Sequence, residues 1–175
     1  TVAARVEELM ALGLVTPVAD GSSTGGRPPS RFALDPDART VVGVDIGASH
    51  VTVALANLAG ELSAVRNWAQ DVDEGPEAVL TRVVAAVREL LDSTGLPANR
   101  LVALGVGVPG PVEHLSGRPW NPPIMPGWDR FDIPGWLQRY LDVPVLVDND
   151  VNIMALGERA VASPREDHLI FVKIA

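Results

Sequence analysis

Two aspartates that follow apolar runs are the strongest candidates for chemistry in this sequence. The first, Asp45, stands in the stretch 41–55, where Gly47 and a short polar break separate two apolar runs. A glycine permits a sharp turn and a close approach of backbone to ligand, and a carboxylate at the mouth of a sheet suits a phosphate and its metal ion. A glycine-containing hairpin with a solvated aspartate explains the same residues, because short glycine motifs are weak evidence.

The second candidate, Asp150, follows the apolar residues 144–147 and the pair Asp148-Asn149. An aspartate at the start of a helix most commonly caps the first turn. A carboxylate at the carboxyl edge of a sheet, beside an amide, can instead accept the proton of a hydroxyl and activate it for attack on a phosphoryl group. From these residues alone, both roles stay open.

The loop 113–130 contains candidates for contact with a sugar. A sugar requires hydrogen-bonding groups on one side and flat apolar surface on another, which Asn121 with Trp120 or Trp128 would supply. Trp128 is better explained as a core anchor, since most tryptophans mainly bury area. Three glycines near the preceding strand end indicate either close approach of a ligand or close packing of a helix. They are Gly105, Gly107 and Gly110.

A sheet is needed to bring these residues together, and the periodicity predicts one. Three consecutive strands are predicted across residues 41–68, followed by a helix between Gly75 and Gly95. The uninterrupted apolar run 101–108 predicts a strand that is covered on both faces. Two further strands, the first of them buried and followed by a helix, are predicted at 144–147 and 168–175.

Composition restricts the class of protein. With 175 residues, 47 % of them apolar, the chain can bury one substantial core and a small appendage. It has no cysteine, which excludes disulfides and thiolate metal sites within these residues and favours the cytoplasm. Apolar stretches are broken well before the ~20 residues of a membrane span, and the N-terminus lacks a signal-peptide pattern. The net charge of −8 argues against nonspecific nucleic-acid binding by the whole surface.

Residues 1–31 differ from the body because their charges sum to zero, so the whole net charge of −8 lies in 32–175. Apolar spacing predicts an amphipathic helix over 1–12, and a pair of strands at 14–18 and 31–34. A helix followed by a hairpin with a basic tip is typical of the second half of a winged helix, which reads DNA through the major groove and the phosphates. A flexible linker explains the same composition, because three arginines are a thin basic patch.

A helix followed by four short motifs resembles the ROK family of repressors, open reading frames and sugar kinases. The motifs are Ala11-Leu12-Gly13-Leu14-Val15, Ser23-Thr24-Gly25-Gly26-Arg27-Pro28, Leu34-Asp35-Pro36 and Val44-Asp45-Ile46-Gly47. The Thr-Gly-Gly-Arg-Pro wing is similar to that of the transcriptional-regulator branch, since the stand-alone kinases lack a DNA-binding front. The resemblance spans nearly the whole chain and implies an α/β fold. That fold is a ribonuclease-H-like lobe of the actin-like ATPase and sugar kinase type at 39–175, preceded by a partial winged helix at 1–38.

The resemblance also implies roles for individual residues. In ROK sugar kinases the matching acid-Asn-Asp run supplies an Asn that hydrogen-bonds the sugar and an Asp that is both sugar ligand and catalytic base. The sugar-binding residues are then Gly110, Asn121, Asn149 and Asp150, with Asp150 catalytic only in a kinase and Asp148 in the place of a usual Glu. The phosphate-loop residues are Asp45, Gly47 and Ser49, where Ala48-Ser49-His50 replaces the kinase pattern Gly-Thr-Lys. The DNA-binding residues are Arg5, Thr24, Gly25, Gly26 and Arg27.

The same resemblance places the family's adenosine site and Cys-rich zinc site in a second lobe beyond residue 175, so we expect no cofactor and no metal within this chain. A pocket that keeps hydroxyl-reading groups but lacks a glycine and a cation near the phosphates is expected to bind a sugar and to transfer phosphate poorly.

We therefore expect a sugar-responsive transcriptional regulator, a repressor whose partners are operator DNA and a sugar or sugar phosphate. It is expected to act in the cytoplasm without a membrane, and to form a homodimer or tetramer as the full-length protein. The alternative is an ATP-dependent sugar kinase of the hexokinase or glucokinase type. A scaffold that binds neither partner is the third possibility.

Overall fold

The computed structural model describes residues 2–18, 31–161 and 170–173. The helices are α1 (Val2–Ala11), α2 (Pro76–Thr94), α3 (Ile133–Gln138) and α4 (Asp150–Val161). The strands are β1 (Val15–Val18), β2 (Arg31–Leu34), β3 (Thr40–Ile46), β4 (His50–Asn57), β5 (Leu62–Ala69), β6 (Leu101–Val108), β7 (Val112–Glu113), β8 (Arg118–Pro119) and β9 (Val145–Asn149). None of the described helices combines the length and the apolar character that a membrane crossing requires.

Five strands form a central mixed sheet in the order β5-β4-β3-β6-β9. β3, β4 and β5 are an antiparallel meander, as the alternating pattern of residues 41–68 predicts. β6 and β9 pair in parallel with the strand beside them, and each enters the sheet after a helix. Parallel pairing requires such crossovers, because the chain must return to the same end of the sheet. The predicted order of strands and helices is confirmed between residues 41 and 161.

One face of this sheet packs against α2 to form the hydrophobic core. Pro76 occupies the first turn of α2, and Gly95 ends the helix in the left-handed conformation, with φ of 67°. Helices commonly end on a left-handed glycine, so the predicted limits of this helix follow from local chemistry. The buried stripe of α2 consists of Val79, Leu80, Val83, Val84, Ala86, Val87, Leu90 and Leu91.

Trp128 anchors the loop before α3 in this core. Its side chain is fully buried, and its indole Nε1 donates a hydrogen bond of 2.9 Å to the carbonyl of Val72. Phe131 packs edge-on against it, with ring centroids 6.4 Å apart. The prediction that Trp128 is a core anchor is confirmed.

Among the described residues, the second face of the sheet is covered only in part. The prediction that 101–108 is covered on both faces holds for most of β6, because five of its eight residues are buried and the other three are intermediate. Gly105 is half-buried, and a side chain there would meet almost nothing. Leu146 of β9 is 72 % exposed, although the run 144–147 predicts a buried strand. The reason is that α4 approaches the sheet at Gly107 and leaves the neighbouring surface uncovered by the described residues.

The prediction of a strand at 168–175 is wrong for residues 170–173, which are the part of this range that the structure describes. Residues 170–173 have no regular secondary structure. A strand exists through hydrogen bonds to a neighbouring strand, and no ladder among the described residues includes this segment. Residues 168, 169, 174 and 175 lie outside the described residues.

The front segment consists of α1 and the antiparallel pair β1–β2, in which Val15 lies opposite Leu34. These elements confirm the predicted helix and pair of strands. Arg39 Nη2 donates to the Leu12 carbonyl at 2.9 Å, which ties this segment to the body. No residue of α1 is buried, so the described residues leave its apolar stripe uncovered. The assignment of residues 1–38 as part of a winged helix stays a prediction, because the loop 19–30 lies outside the described residues.

Replacing Trp128 with Phe removes the N–H that bonds the buried Val72 carbonyl and leaves space in the core. We expect the free energy of unfolding to fall by about 2–4 kcal/mol, because an unpaired buried acceptor and lost volume both destabilise. Chemical denaturation measures the change. Trp120→Phe is the matched control, since Trp120 is 51 % exposed, and should stay within about 0.5 kcal/mol. Equal losses in the two variants would contradict the anchoring role of Trp128.

Candidate functional site

The parallel strands bring the predicted sugar and phosphate residues to one edge of the sheet. Asp45 lies opposite Gly107 in the register, and Gly107 lies opposite Asp148. Neighbouring strands are ~4.8 Å apart, so the backbones at Asp45 and Asp148 are separated by about 10 Å. We name the β9–α4 junction and the loop after β6 the sugar half of this site, and the β3–β4 turn its phosphate half.

Asn149 connects β9 to the loop after β6. Its Nδ2 donates to the carbonyl of Gly110 at 3.1 Å and to that of Val108 at 3.5 Å. Its Oδ1 accepts the N–H of Val151 at 3.0 Å. Both N–H groups of the amide are therefore engaged within the chain, and only its oxygen keeps a free lone pair. Asn149 holds the sugar half together in this arrangement.

Asp150 is the first residue of α4 and is 5 % exposed. Its Oδ1 accepts the N–H of Val151 at 2.8 Å, which satisfies a donor that the first helical turn leaves free. Its Oδ2 accepts a hydrogen bond of 2.6 Å from Nζ of Lys173. The carboxylate thus serves the helix start through one oxygen and forms an ion pair through the other.

Sequence reasoning did not find Lys173. It is the only lysine among the 14 Lys and Arg residues, and it interrupts the apolar run 169–174. A single lysine within an apolar run is the sequence pattern that would have indicated this residue. Its partner is 23 positions away in the sequence, so only the fold decides which carboxylate it reaches.

The loop after β6 packs tightly at Gly110. A Cβ at this position would lie 2.8 Å from Cβ of Pro122 and 3.2 Å from Sδ of Met125. At Gly107 a Cβ would meet Ile153 and Asp150 at 3.4 and 3.5 Å, which is ordinary contact with α4. Gly107 therefore permits close packing of a helix, which is one of the two explanations that the sequence leaves open, whereas Gly110 permits close packing of a loop.

Asn121 lies at the margin of the sugar half, beside Pro122. Its backbone is left-handed, with φ of 43°, and its N–H donates to Oδ1 of Asp129 at 2.7 Å. Asparagine is among the few residues that adopt this conformation readily. Among the described residues, no hydrogen bond joins Asn121 to Asn149 or Asp150. The structure thus joins Asn149 to Gly110 by a hydrogen bond and places Asn121 beside Pro122, which packs at Gly110.

Asp148 is used within the chain. Its Oδ1 accepts the N–H of Asn149 at 2.7 Å and the side-chain amide of Asn152 at 2.9 Å. Its Oδ2 lies 3.6 Å from Nδ1 of His114. Asp148 also lines an apolar cavity of about 450 Å³ on the partly covered face, together with Leu146. It therefore stabilises the junction between β9 and α4.

In the phosphate half, His50 fills the space above Gly47. A Cβ on Gly47 would lie 2.1 Å from Cε1 of His50, and the Gly47 N–H donates to the His50 carbonyl at 2.8 Å. Nε2 of His50 lies 3.3 Å from Oδ2 of Asp45. Gly47 gives room to an imidazole, whereas the sequence predicts room for a phosphate. The Ser49 carbonyl accepts the N–H of Gln70 at 3.1 Å, which fixes the turn.

Only one of the five predicted DNA-binding residues lies in the described part of the front segment. The Arg5 side chain is 80 % exposed and bonds Glu8 one turn along α1 at 2.8 Å. Thr24, Gly25, Gly26 and Arg27 lie outside the described residues. Across the ranges that the structure describes, no group of three or more His, Cys, Asp or Glu side chains is placed to hold a metal ion.

The mixed sheet, its crossover helices and the site at its carboxyl edge define a ribonuclease-H-like lobe of the actin-like ATPase and sugar kinase type. Residues 41–175 match the ROK family, and the chain belongs to that family. The family resemblance seen in the sequence is confirmed.

Three similar proteins illustrate the range of the family. A putative xylose repressor from Caldicellulosiruptor sp. (strain Rt8B.4) is 28 % identical over 99 % of this chain and 44 % of its own length. A glucokinase from Halalkalibacterium halodurans is 31 % identical over 69 % of this chain and 36 % of its own. The structure of a ROK family transcriptional regulator, a homologue of the E. coli MLC protein, matches 91 % of this chain and 40 % of its own. Its TM-score is 0.71 at 19 % identity, which shows the fold alone. The chain thus spans less than half the length of these relatives.

Replacing Gly110 with Ala should force Pro122 and Met125 away from the loop after β6. We expect the free energy of unfolding to fall by about 1–3 kcal/mol, as overpacking of a close contact usually costs. Gly43→Ala is the matched control, because nothing lies within 4 Å of a Cβ there. It should be neutral or stabilising by up to ~1 kcal/mol, since glycine weakens a strand. Thermal denaturation of both variants gives the comparison, and an unchanged Gly110→Ala protein would show that the loop is loosely packed.

Proposed function

We propose that this chain is part of a sugar-responsive transcriptional repressor, which binds operator DNA through the front segment and a sugar at the edge of the sheet. The observation that carries this proposal is the extent of the matches. The ROK family match begins at residue 41, whereas the match to the putative xylose repressor takes in 99 % of the chain and so includes α1, β1 and β2. The glucokinase match takes in only 69 %. The front segment is therefore shared with a repressor beyond the common domain.

The chemistry of the site also supports recognition without transfer. Phosphoryl transfer depends on positioned phosphates and on groups that neutralise their charge. Here the imidazole of His50 occupies the space above Gly47, and the ammonium of Lys173 occupies one oxygen of Asp150. The sugar half keeps the run Asp148-Asn149-Asp150, although these side chains also bond to other groups of the chain. These features support the binding of hydroxyls over their phosphorylation.

The response to the sugar follows from linkage between two binding sites. A sugar at Gly110, Asn121, Asn149 and Asp150 closes the lobes of the full-length protein. Closure changes the spacing of paired DNA-binding heads in a homodimer or tetramer. The sugar then favours the form with poor operator affinity, by as much as its own affinity differs between the two forms.

A second candidate function is ATP-dependent phosphorylation of a hexose. The observations that favour it are the 31 % identity to a glucokinase and the position of Asp150 at the carboxyl edge of the sheet. A carboxylate at that place could act as general base for a sugar hydroxyl once Lys173 moved away.

A gel-shift titration of the full-length protein on the DNA upstream of its own gene tests the proposed function. The ligands are D-xylose, D-glucose, N-acetylglucosamine and the phosphorylated forms of these sugars. We expect a shifted complex at low salt that one sugar of the panel releases. If no complex forms at low salt, the regulator proposal fails.

Arg27→Ala in the full-length protein should weaken operator binding, because this arginine is proposed to contact phosphates or the minor groove. Removing one phosphate contact should also make the plot of log affinity against log salt flatter by about 1. Fluorescence anisotropy across a salt series measures both quantities. Arg88→Ala is the control, since Arg88 lies on α2 and donates to the Tyr140 carbonyl at 3.2 Å. Similar losses in the two variants would argue against a specific role of the wing.

A coupled assay for ADP release separates the regulator from the kinase. With ATP and each sugar of the panel, the full-length protein is expected to give no turnover above the rate without sugar, because both carboxylates are engaged by other side chains. Turnover in the wild type that disappears in Asp150→Asn would establish the kinase instead.

A further inference from the structure

Lys173 contacts the sugar half through Asp150, and the proposed function does not require its charge. Its Nζ lies 2.6 Å from Oδ2 of Asp150, and the two side chains are 35 % and 6 % exposed. The ammonium is therefore the exposed member of the pair, with the carboxylate beneath it. A ligand that arrives from solvent meets the ammonium first.

The stability of the folded chain does not by itself explain why this ion pair is present. Removing two charges from water costs free energy that their attraction often only offsets, so an apolar pair of similar size is commonly as stable. The choice of lysine is also specific, because every other basic side chain in this sequence, apart from histidine, is arginine. A lysine offers three N–H donors on a compact charge, and Asp150 uses one of them.

We propose that Lys173 is a ligand-binding residue of the sugar half, whose remaining N–H donors bind oxygen atoms of the sugar. Asp150 is then a positioning residue that holds the ammonium in place. This inference rests on the proposed function and adds to it the group that faces the ligand. The group that the site presents to the sugar is therefore the ammonium of Lys173, which donates hydrogen bonds, and not a free carboxylate of Asp150.

The charges around the pair define the ligand groups that it accepts. Lys173 and Asp150 cancel each other, and Asp148 adds a further carboxylate at the same junction. His114, which approaches Asp148 at 3.6 Å, is 85 % exposed and so contributes little. A phosphate at this point would meet an excess of negative charge. The groups that bind Lys173 are therefore neutral hydroxyls, and two neighbouring hydroxyls of a sugar ring can share one ammonium.

The arrangement also explains how a sugar can be bound without being activated. A general base must lie within hydrogen-bonding reach of the proton that it removes. Oδ2 of Asp150 accepts a hydrogen bond from Nζ of Lys173, and Oδ1 shares the N–H of Val151 with Asn149, so each oxygen already has one partner and the ammonium stands between Oδ2 and an incoming hydroxyl. A hydroxyl that accepts a hydrogen bond from the ammonium keeps its own proton.

Isothermal titration calorimetry on the full-length protein tests this inference, with D-xylose, D-glucose and glucose 6-phosphate as ligands. Wild type should bind one neutral sugar, and the phosphorylated sugar at least about tenfold more weakly. Lys173→Met, which keeps the length of the side chain and removes its donors, should lose affinity about tenfold or more, as for a hydrogen bond to a charged group. Lys173→Arg keeps the charge but replaces the compact ammonium with a planar guanidinium, so it should bind more weakly than wild type and more tightly than Lys173→Met.

The Asp150→Asn variant and the double variant examine whether the two residues act as one unit. Asp150→Asn should also weaken binding, since it removes the charge that holds the ammonium. The double variant Asp150→Asn/Lys173→Met should bind no more weakly than Lys173→Met alone, because residues of one unit do not have additive effects. Melting temperatures are measured in parallel, so that Lys173→Arg decides the matter if Lys173→Met fails to fold.

Each contrary outcome has a distinct meaning. Unchanged or tighter sugar binding by Lys173→Met would overturn the inference and leave the proposed function standing, because Asp150 would then contact the sugar itself. A lower melting temperature with unchanged affinity would assign the pair a structural role only. Tighter binding of glucose 6-phosphate than of D-glucose would contradict the inference that the ligand is a neutral sugar. Wild-type protein that binds no sugar of the panel would overturn the proposed function, and this inference with it.

Discussion

The parallel pairing of β3, β6 and β9 is the constraint on which the site depends. Because these strands run in the same direction, their carboxyl ends meet at one edge, and Asp45, Gly110 and Asp150 lie at or just beyond those ends. The register is defined by the apolar side chains that face α2. A slip of one residue would turn those side chains to the other face, so the buried core and the site are specified together.

At that edge, the polar groups of the sugar half are mostly bound to one another. Asn149 bonds the carbonyl of Gly110, Asp148 bonds Asn152, and Asp150 bonds the start of α4. Buried polar groups in proteins nearly always have such partners. The result is a preorganised arrangement in which few polar atoms are free to bond a ligand. The partly exposed ammonium of Lys173, which uses one of its three N–H donors on Asp150, has donors left for a ligand.

The relatives of this chain include a glucokinase and a putative xylose repressor, so one fold serves more than one function. In this chain, both candidate carboxylates have a side-chain partner. The partner of Asp45 is local, since His50 is five positions away and packs over Gly47 in the same turn. The partner of Asp150 is distant in sequence, since Lys173 reaches back from the last described segment.

The sequence by itself determined the features that depend on neighbours along the chain. The meander of β3 to β5, the limits of α2 at Pro76 and Gly95, and the hairpin after α1 all follow from period-2 and period-3.6 patterns and from glycine and proline chemistry. Family motifs in the sequence also indicated which residues gather at the site, and Trp128 was recognisable as an anchor because its size favours burial.

Only the tertiary structure decided which groups those residues touch. The apolar runs 101–108 and 144–147 indicated strands but not their exposed face, which depends on where α4 packs. Three contacts could not be deduced from the spacing of residues in the sequence. They are the hydrogen bond of the Asn149 amide to Gly110, the packing of His50 over Gly47 and the ion pair of Asp150 with Lys173. Hydrogen bonds and ion pairs are short-range, so a partner many positions away is set by strand pairing and helix packing, which no local pattern encodes.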